Sequence, residues 1–416
     1  MKKLLWIGCL SYLVIGLAHV VGGAILEQMI SYYGITYKDG GQWIMNQFLG
    51  FLVGVLFAPS LTARIGKRGA VLVAMGLLAV SEAAYSLLLP WGWMLAIAPI
   101  AGIGFGMTEA IVGAMIIDLM KGKASAMSRL ETFFGIGALL IPLTAAYLIQ
   151  QHIWQLSFPI LAAMAGITFV LWLTMSFGSL DSQLGMTRKP TGASAAVHES
   201  EEGSQSAAHL NKRRLGYSAS AIPFLALSAA FFMVYVGVEM SFSNYLPSIL
   251  IERTDMSESS ATAALSLFWG MMVIGRLFAG VIADRMGYAM YLLIAVLSAA
   301  AAFGMMTVTD HAFWSLLFIA VSGLCFSGVF GIALVYANGL LPGMTERTTS
   351  LLVALGGVGG AVFPRITGWL MDRFSVQWTV VLLAAMTAGM LVILIVMLLL
   401  GRNQSRTIKE EEAAPA

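Results

Sequence analysis

Glu109 stands inside an apolar run from Ala96 to Ala114 that is long enough to cross a bilayer. A carboxylate near the centre of such a run costs about 2.5–3.5 kcal/mol on insertion scales. It is kept where it faces a polar cavity and takes up a proton as that cavity dries. A carboxyl that is charged when wet and neutral when dry is what a proton-coupled carrier needs. His19 lies amid Gly16, Gly22 and Gly23, with Glu27 two turns on, either as a ligand contact or as hydrogen-bonded packing. Asn46 and Gln47 precede Phe48-Leu49-Gly50-Phe51. Tyr235, Glu239 and Ser243 recur every four residues and so share one helix face, with Asn244 beside them. Amides that donate and accept, next to aromatic faces, suit a polyhydroxylated neutral ligand. Trp269 either stacks on the apolar face of a sugar or packs. Glu131 either lines the same cavity or pairs with Arg129. Glu82 has no evident task, and Ser81 with solvation at the membrane interface is expected to satisfy it. Arg276 and Arg365 need counter-charges, for which Asp284, Glu109 and Glu239 are candidates.

The elements that must position these residues are membrane helices. The chain is 59% hydrophobic and 11% charged, with a mean hydropathy of +0.86, whereas soluble domains carry about 25% charged residues. A spanning helix needs about 20 apolar residues. Twelve runs meet that need, at 5–31, 43–63, 70–90, 93–119, 126–150, 155–178, 219–250, 260–284, 288–308, 312–341, 347–371 and 376–400. The first continues past the length of a signal peptide's apolar core and shows no small-x-small cleavage site, so it reads as a retained helix. Cys9 and Cys325 both lie in apolar runs and imply no disulfide framework.

Lysine and arginine placement gives the orientation. Lys2, Lys3, Arg64, Lys67, Arg68, Lys121, Lys123, Arg285, Arg347 and Arg402 fall on the side of the two termini, whereas the opposite loops hold Lys38, Arg253 and Arg373. Both termini are therefore expected in the cytoplasm, with the protein multi-pass in the plasma membrane. The domains expected are a six-helix bundle over 1–178, a flexible Ser/Ala/Gly-rich cytoplasmic linker over 179–217, a second bundle over 218–401 and a tail over 402–416.

The halves repeat. Gly54–Gly66 matches Gly275–Gly287, and Gly102-Ile103-Gly104-Phe105 matches Gly323-Leu324-Cys325-Phe326, both at an offset of 221. One residue more aligns Gly135-x-Gly137-x4-Pro142 with Gly357-x-Gly359-x4-Pro364. An offset of six helices gives both halves one orientation, as in parallel repeats that hold their substrate at the shared interface near the midplane. Glu109 aligns with Phe330, so the acid breaks this symmetry.

Gly280-x3-Asp284-Arg285-x-Gly287 resembles the signature loop of the major facilitator superfamily, and Arg64-Ile65-Gly66-Lys67-Arg68 is its first-half copy, with Ala63 in place of the usual acid. The resemblance implies an all-α integral membrane fold of twelve helices in two six-helix pseudo-repeats. It also implies a cytoplasmic gate at Arg64, Asp284 and Arg285 that breaks as the halves rock. Further segments resemble the fucose–galactose–glucose:proton symporter branch, most of all its bacillus-type glucose/proton symporters. They include Gln47-Phe48-x-Gly50-Phe51, Thr108-Glu109-Ala110-Ile111-Val112-Gly113, Met127-Ser128-Arg129-Leu130-Glu131, Tyr235-x-Gly237-x-Glu239-x2-Phe242-x-Asn244 and Phe268-Trp269-x4-Ile274-Gly275-Arg276. In that branch a helix-4 glutamate takes part in proton coupling, and it aligns with Glu109. The helix-1 aspartate of the fucose carrier falls near Gly23, so this chain lacks it. His19 is shared with the glucose type.

The expected function is thus secondary transport: import of a neutral sugar, glucose or another hexose, with a proton by alternating access. Glu109 is the expected coupling acid, and His19, Asn46, Gln47, Glu131, Tyr235, Glu239, Asn244 and Trp269 the expected sugar contacts. The alternative is a proton-coupled exporter of drugs or small metabolites. Such exporters usually carry a helix-4 arginine and a helix-5 Gly-Pro-x2-Gly-Gly ending, whereas this chain has Glu109 and Ile141-Pro142-Leu143-Thr144-Ala145. An enzyme would want clustered metal-ligating or catalytic side chains, and the five histidines are scattered. No catalytic residue, cofactor, metal or nucleic-acid partner is expected; the partners are sugar, protons and lipid, and the carrier is expected to act as a monomer.

Overall fold

The computed structural model describes residues 2–119, 124–185, 221–341 and 345–413. Its main elements are α1 (Lys2–Ala24), α2 (Leu26–Tyr33), α3 (Tyr37–Tyr85), α4 (Trp91–Leu119), α5 (Ala124–Gln150), α6 (Ser157–Thr174), α7 (Ile222–Thr254), α8 (Glu258–Met286), α9 (Tyr288–Met306), α10 (Ala312–Phe326), α11 (Val329–Gly339), α12 (Thr345–Arg373) and α13 (Val376–Ala413). Among the described residues there is no strand. This is what hydrocarbon demands, because a helix satisfies its own backbone polar groups where no water can.

Among the described residues, eleven stretches of helix are long and apolar enough to cross a membrane. The longest, α3, has 49 residues, about 74 Å at 1.5 Å per residue, against a hydrocarbon core of about 30 Å. It is two crossings, separated at Gly66, whose φ of 81° interrupts the helix. The described residues therefore make the twelve crossings expected. Gly287, 221 residues further on, bends the second half with a φ of 89°. Both positions need a residue without a Cβ, since positive φ is costly for other L-residues.

Two expected spans are interrupted. The run 5–31 breaks at Ile25 between α1 and α2, and the run 312–341 breaks between Phe326 and Val329. Residues 179–184 of the expected linker lie in short helical turns that begin at Gly178, and residues 186–217 lie outside the described residues. α13 continues helically through the expected tail to Ala413.

Backbone contact at small residues packs both halves alike. A Cβ on Gly102 would stand 2.0 Å from Gln47 O, and one on Gly323 would stand 2.3 Å from Phe268 O, the matching pair of the second half. Likewise Gly137 of α5 lies against Leu13 O of α1, as Gly359 of α12 lies against Met233 O of α7. The halves meet where α1 faces α7, α3 faces α12, and α5 faces α8.

Candidate functional site

The crossing of α1 and α7 is tight because Gly23 brings α1 onto Asn244, where a Cβ would stand 2.6 Å from the Asn244 Cα. One turn earlier on α1, His19 Nε2 lies 3.1 Å from Met240 Sδ. Three rings surround the imidazole edge-on: Phe48 at 5.2 Å, Phe105 at 5.7 Å and Phe134 at 5.5 Å between centroids. His19 Nδ1 is buried and has no hydrogen-bond partner. A nitrogen so placed is free to exchange a hydrogen bond with a ligand hydroxyl.

The amides divide. Gln47 is buried and its Oε1 faces Gly22 of α1. Asn46, its neighbour, points into the first half instead: its Nδ2 donates to Leu95 O at 3.0 Å and its Oδ1 accepts from Gln42 at 2.7 Å. Asn46 therefore fixes α3 on α4 and is not brought to His19. Asn244 Nδ2 donates to Met240 O at 2.8 Å along its own helix. The buried Trp269 donates from Nε1 to Ser243 Oγ at 3.0 Å, and its ring lies 6.5 Å from that of Phe134 across the halves. Tyr235 OH donates to Phe326 O at 3.1 Å, at the end of α10.

The charged residues gather round Arg276. Its Nη1 lies 3.8 Å from Glu131 Oε2, and Glu109 and Glu239 are within its electrostatic reach. Glu131 thus faces Arg276 and not Arg129, its other candidate partner. Of the three carboxyls, Glu131 of α5 is the one within 4 Å of the α8 guanidinium, and Glu109 of α4 and Glu239 of α7 lie farther off within its field, so the set carries more acid than that one cation neutralises. Tyr12 OH donates to the backbone oxygen of Glu109 at 2.9 Å, which fixes α1 on α4 at that level. Glu109 itself is half-buried.

The expected gate residues lie apart from this set. Arg64, Asp284 and Arg285 are exposed. Asp284 accepts from Tyr288 OH at 3.0 Å, four residues on in the same half. The cross-half latch present here lies at the other end, where Asp372 of α12 accepts from the backbone N–H of Tyr37 at 2.9 Å and of Lys38 at 2.8 Å. Beside it Tyr245 OH donates to Tyr37 O at 3.0 Å. Sequence reasoning missed this latch because its donors are backbone groups, as it missed Met240, Phe105 and Phe134 because apolar residues in an apolar helix carry no mark. A separate cavity of about 320 Å³ lies between α8, α9 and α10, lined by Gly275, Tyr291, Cys325 and Ser327 among others; none of the site residues lines it.

The sequence profile of the Major Facilitator Superfamily matches residues 5–364 and, in a second match, 228–416. The chain is 26% identical over 372 residues to the glucose/mannose transporter GlcP of Bacillus subtilis, covering 89% of each. It is 27% identical over 347 residues to a glucose/galactose transporter of Brucella abortus, covering 79% of this chain and 78% of that one. The fold matches an inward open conformation of the xylose transporter XylE from E. coli, with a TM-score of 0.74, 15% identity and 94% of each chain covered.

Proposed function

The chain belongs to the Major Facilitator Superfamily, and we propose that it is a sugar importer that carries glucose or another hexose together with a proton. The reading rests above all on the three carboxyls Glu109, Glu131 and Glu239 around the single Arg276 at the junction of the halves. Such a set holds an exchangeable proton beside a sugar site, so that loading and unloading can track which side is wet. Gln47, His19 and Trp269 supply the hydrogen-bonding and aromatic surfaces a hexose uses. The sugar carriers to which the chain is similar over most of its length support the same substrate class.

In this reading both termini are cytoplasmic and the carrier sits in the plasma membrane. Residues 1–178 and 218–401 are the two bundles, 179–217 the linker and 402–416 the tail. The Tyr37–Asp372 latch then lies at the outer face, and the present form is closed to the outside. Arg64, Asp284 and Arg285 form the opposite gate, which engages when the halves rock the other way. Glu109 is the coupling acid, loaded from outside and discharged when the cavity opens inward.

The test is uptake into proteoliposomes with an alkaline interior, using a panel of labelled hexoses and one cationic dye. Accumulation of a hexose that a protonophore collapses is the expected result. Dye movement against the proton gradient with no hexose uptake would replace this reading with that of an exporter.

A further inference from the structure

Glu82 is the buried acid that the mechanism above leaves unused. It lies near the end of the second crossing of α3, fully buried, and neither carboxylate oxygen has a hydrogen-bond partner. Among the described residues no cation acts on it. Three further buried polar atoms at this end of the first half have no partner: Ser81 Oγ, Ser157 Oγ at the start of α6 and Trp91 Nε1 at the start of α4. α6 carries no ionisable side chain. Glu109 of α4 stands far along that helix from Trp91. On α2, Glu27 is engaged with Tyr37 at 2.8 Å, and Tyr33 donates to Leu89 O. On α12, Asp372 is held by the Tyr37 and Lys38 amides, and Arg365 acts on Tyr245. An ionised carboxylate is costly in such surroundings, which favour the protonated form.

A polar path leads from this acid to the sugar site. Tyr85 lies one turn on from Glu82 along α3, and its hydroxyl faces the Gln47 side chain. Its hydroxyl oxygen accepts from Trp43 Nε1 at 3.0 Å, which leaves its own proton for the Glu82 carboxylate. Gln47 in turn abuts Gly22 of α1, one turn from His19. We propose that Glu82 is a second proton-carrying carboxyl of this transporter, and that Tyr85 relays its protonation state to the Gln47 amide at the sugar site. Loading forms one O–H bond at the Glu82 carboxylate with a proton taken from water; unloading returns it. With Glu82 neutral, the Tyr85 oxygen accepts from the Gln47 amide N–H, which leaves Gln47 Oε1 at Gly22 for a sugar hydroxyl. With Glu82 ionised, the Tyr85 proton turns to the carboxylate and Gln47 is released.

The relay rests on the sugar/proton reading, but the proton on Glu82 is measurable without any sugar. Infrared difference spectra of the full chain in proteoliposomes are recorded over a pH series and on addition of D-glucose. A protonated-carboxyl C=O band is expected that vanishes in Glu82→Gln, moves in Glu82→Asp, fades at high pH and shifts with glucose. In Tyr85→Phe the band should remain while its glucose shift is lost. A spectrum unchanged by both Glu82 substitutions would overturn the proton site, and so would a band that responds to neither pH nor glucose. A glucose shift that survives in Tyr85→Phe would overturn the relay. A pH-responsive Glu82 band in a chain that takes up no hexose would leave the proton site standing and defeat the sugar reading instead.

Discussion

His19 Nε2 lies 3.1 Å from Met240 Sδ, and the two residues stand 221 positions apart, the offset of the internal repeat. Gly23 and Asn244, in contact one turn on, are separated by the same interval. Equivalent residues can touch each other only on the axis that relates the halves. The crossing of α1 and α7 is therefore that axis, and a histidine opposite a methionine is where the symmetry first breaks.

That crossing depends on Gly23 having no side chain. A Cβ there meets backbone, 2.6 Å from the Asn244 Cα, which cannot move aside cheaply. Gly23→Val should cost about 1–3 kcal/mol as an overpacked contact. Thermal unfolding in detergent checks this, with Gly166→Ala, where nothing lies within 4 Å, as the control that should not fall.

Asp372 accepts from the first two backbone N–H groups of α3, so its charge also meets the positive end of that helix dipole. Hydrogen bonds to a charged group contribute about 1.5–3 kcal/mol each at most, and this site is exposed. Asp372→Asn should weaken the latch by about 1.4 kcal/mol, a roughly tenfold shift toward the form open at this end. Spin labels at the exposed Tyr32 and Phe374 should report longer separations in the variant. Unchanged distances would mean that the latch does not set the equilibrium.

Some of this was legible in the sequence because backbone contact forces a residue type. Gly102 and Gly323 recur at the repeat interval since each lets one helix touch the carbonyl of another, at Gln47 and Phe268. Gly66 and Gly287 recur because both turns need positive φ. The Arg276–Glu131 pair was not legible, since helical spacing says which residues share a face but not which foreign helix that face meets. Asn46 and Gln47 show the same limit: adjacent amides with equal chemistry point to opposite sides of α3, one at Leu95 O and one at Gly22.

Arg68 clamps the end of α6. It donates to the carbonyls of Trp172 at 2.9 Å, Leu173 at 3.0 Å and Met175 at 2.8 Å, and pairs with Asp181 at 3.2 Å. These are carbonyls a helix C-terminus leaves unpaired, so Arg68→Ala should cost about 1–2 kcal/mol. Hydrogen bonds from Ser176 Oγ and Phe177 N, with Arg68 beside them, hold the Asp181 carboxyl below its ordinary range. Its share of the clamp is then present above the usual aspartate value near 4 and is lost as the pH falls through the lowered one. Hydrogen exchange at 176–184 should rise at that step, and earlier in Arg68→Ala.

The Arg276–Glu131 pair is wide, with side-chain exposures of 28% and 41%, so as an ion pair it is worth about 0–1 kcal/mol. Its importance is electrical. Glu131→Gln should leave thermal stability within about 1 kcal/mol of the parent. Arg276→Gln, which strips three carboxyls of their cation, should abolish uptake at neutral pH. Combining the two removes one repulsive charge and should restore part of it, a positive coupling in a double-mutant cycle. Strict additivity would separate the two residues functionally.

Glu109→Gln keeps the shape and removes the titration. A gradient of one pH unit is worth about 1.4 kcal/mol per proton, so one-to-one coupling can concentrate sugar up to about tenfold. The parent should approach that ratio and the variant should level off at about unity, because a carrier that rocks without its proton only equilibrates. Counterflow, which needs sugar binding and rocking but no net proton movement, should persist in the variant. The two assays in the same vesicles separate a lost proton from a lost site. Loss of both would make Glu109 a structural or sugar-binding acid, whereas accumulation that survives in Glu109→Gln would move the coupling to another carboxyl, with Glu239 and Glu82 the next to test.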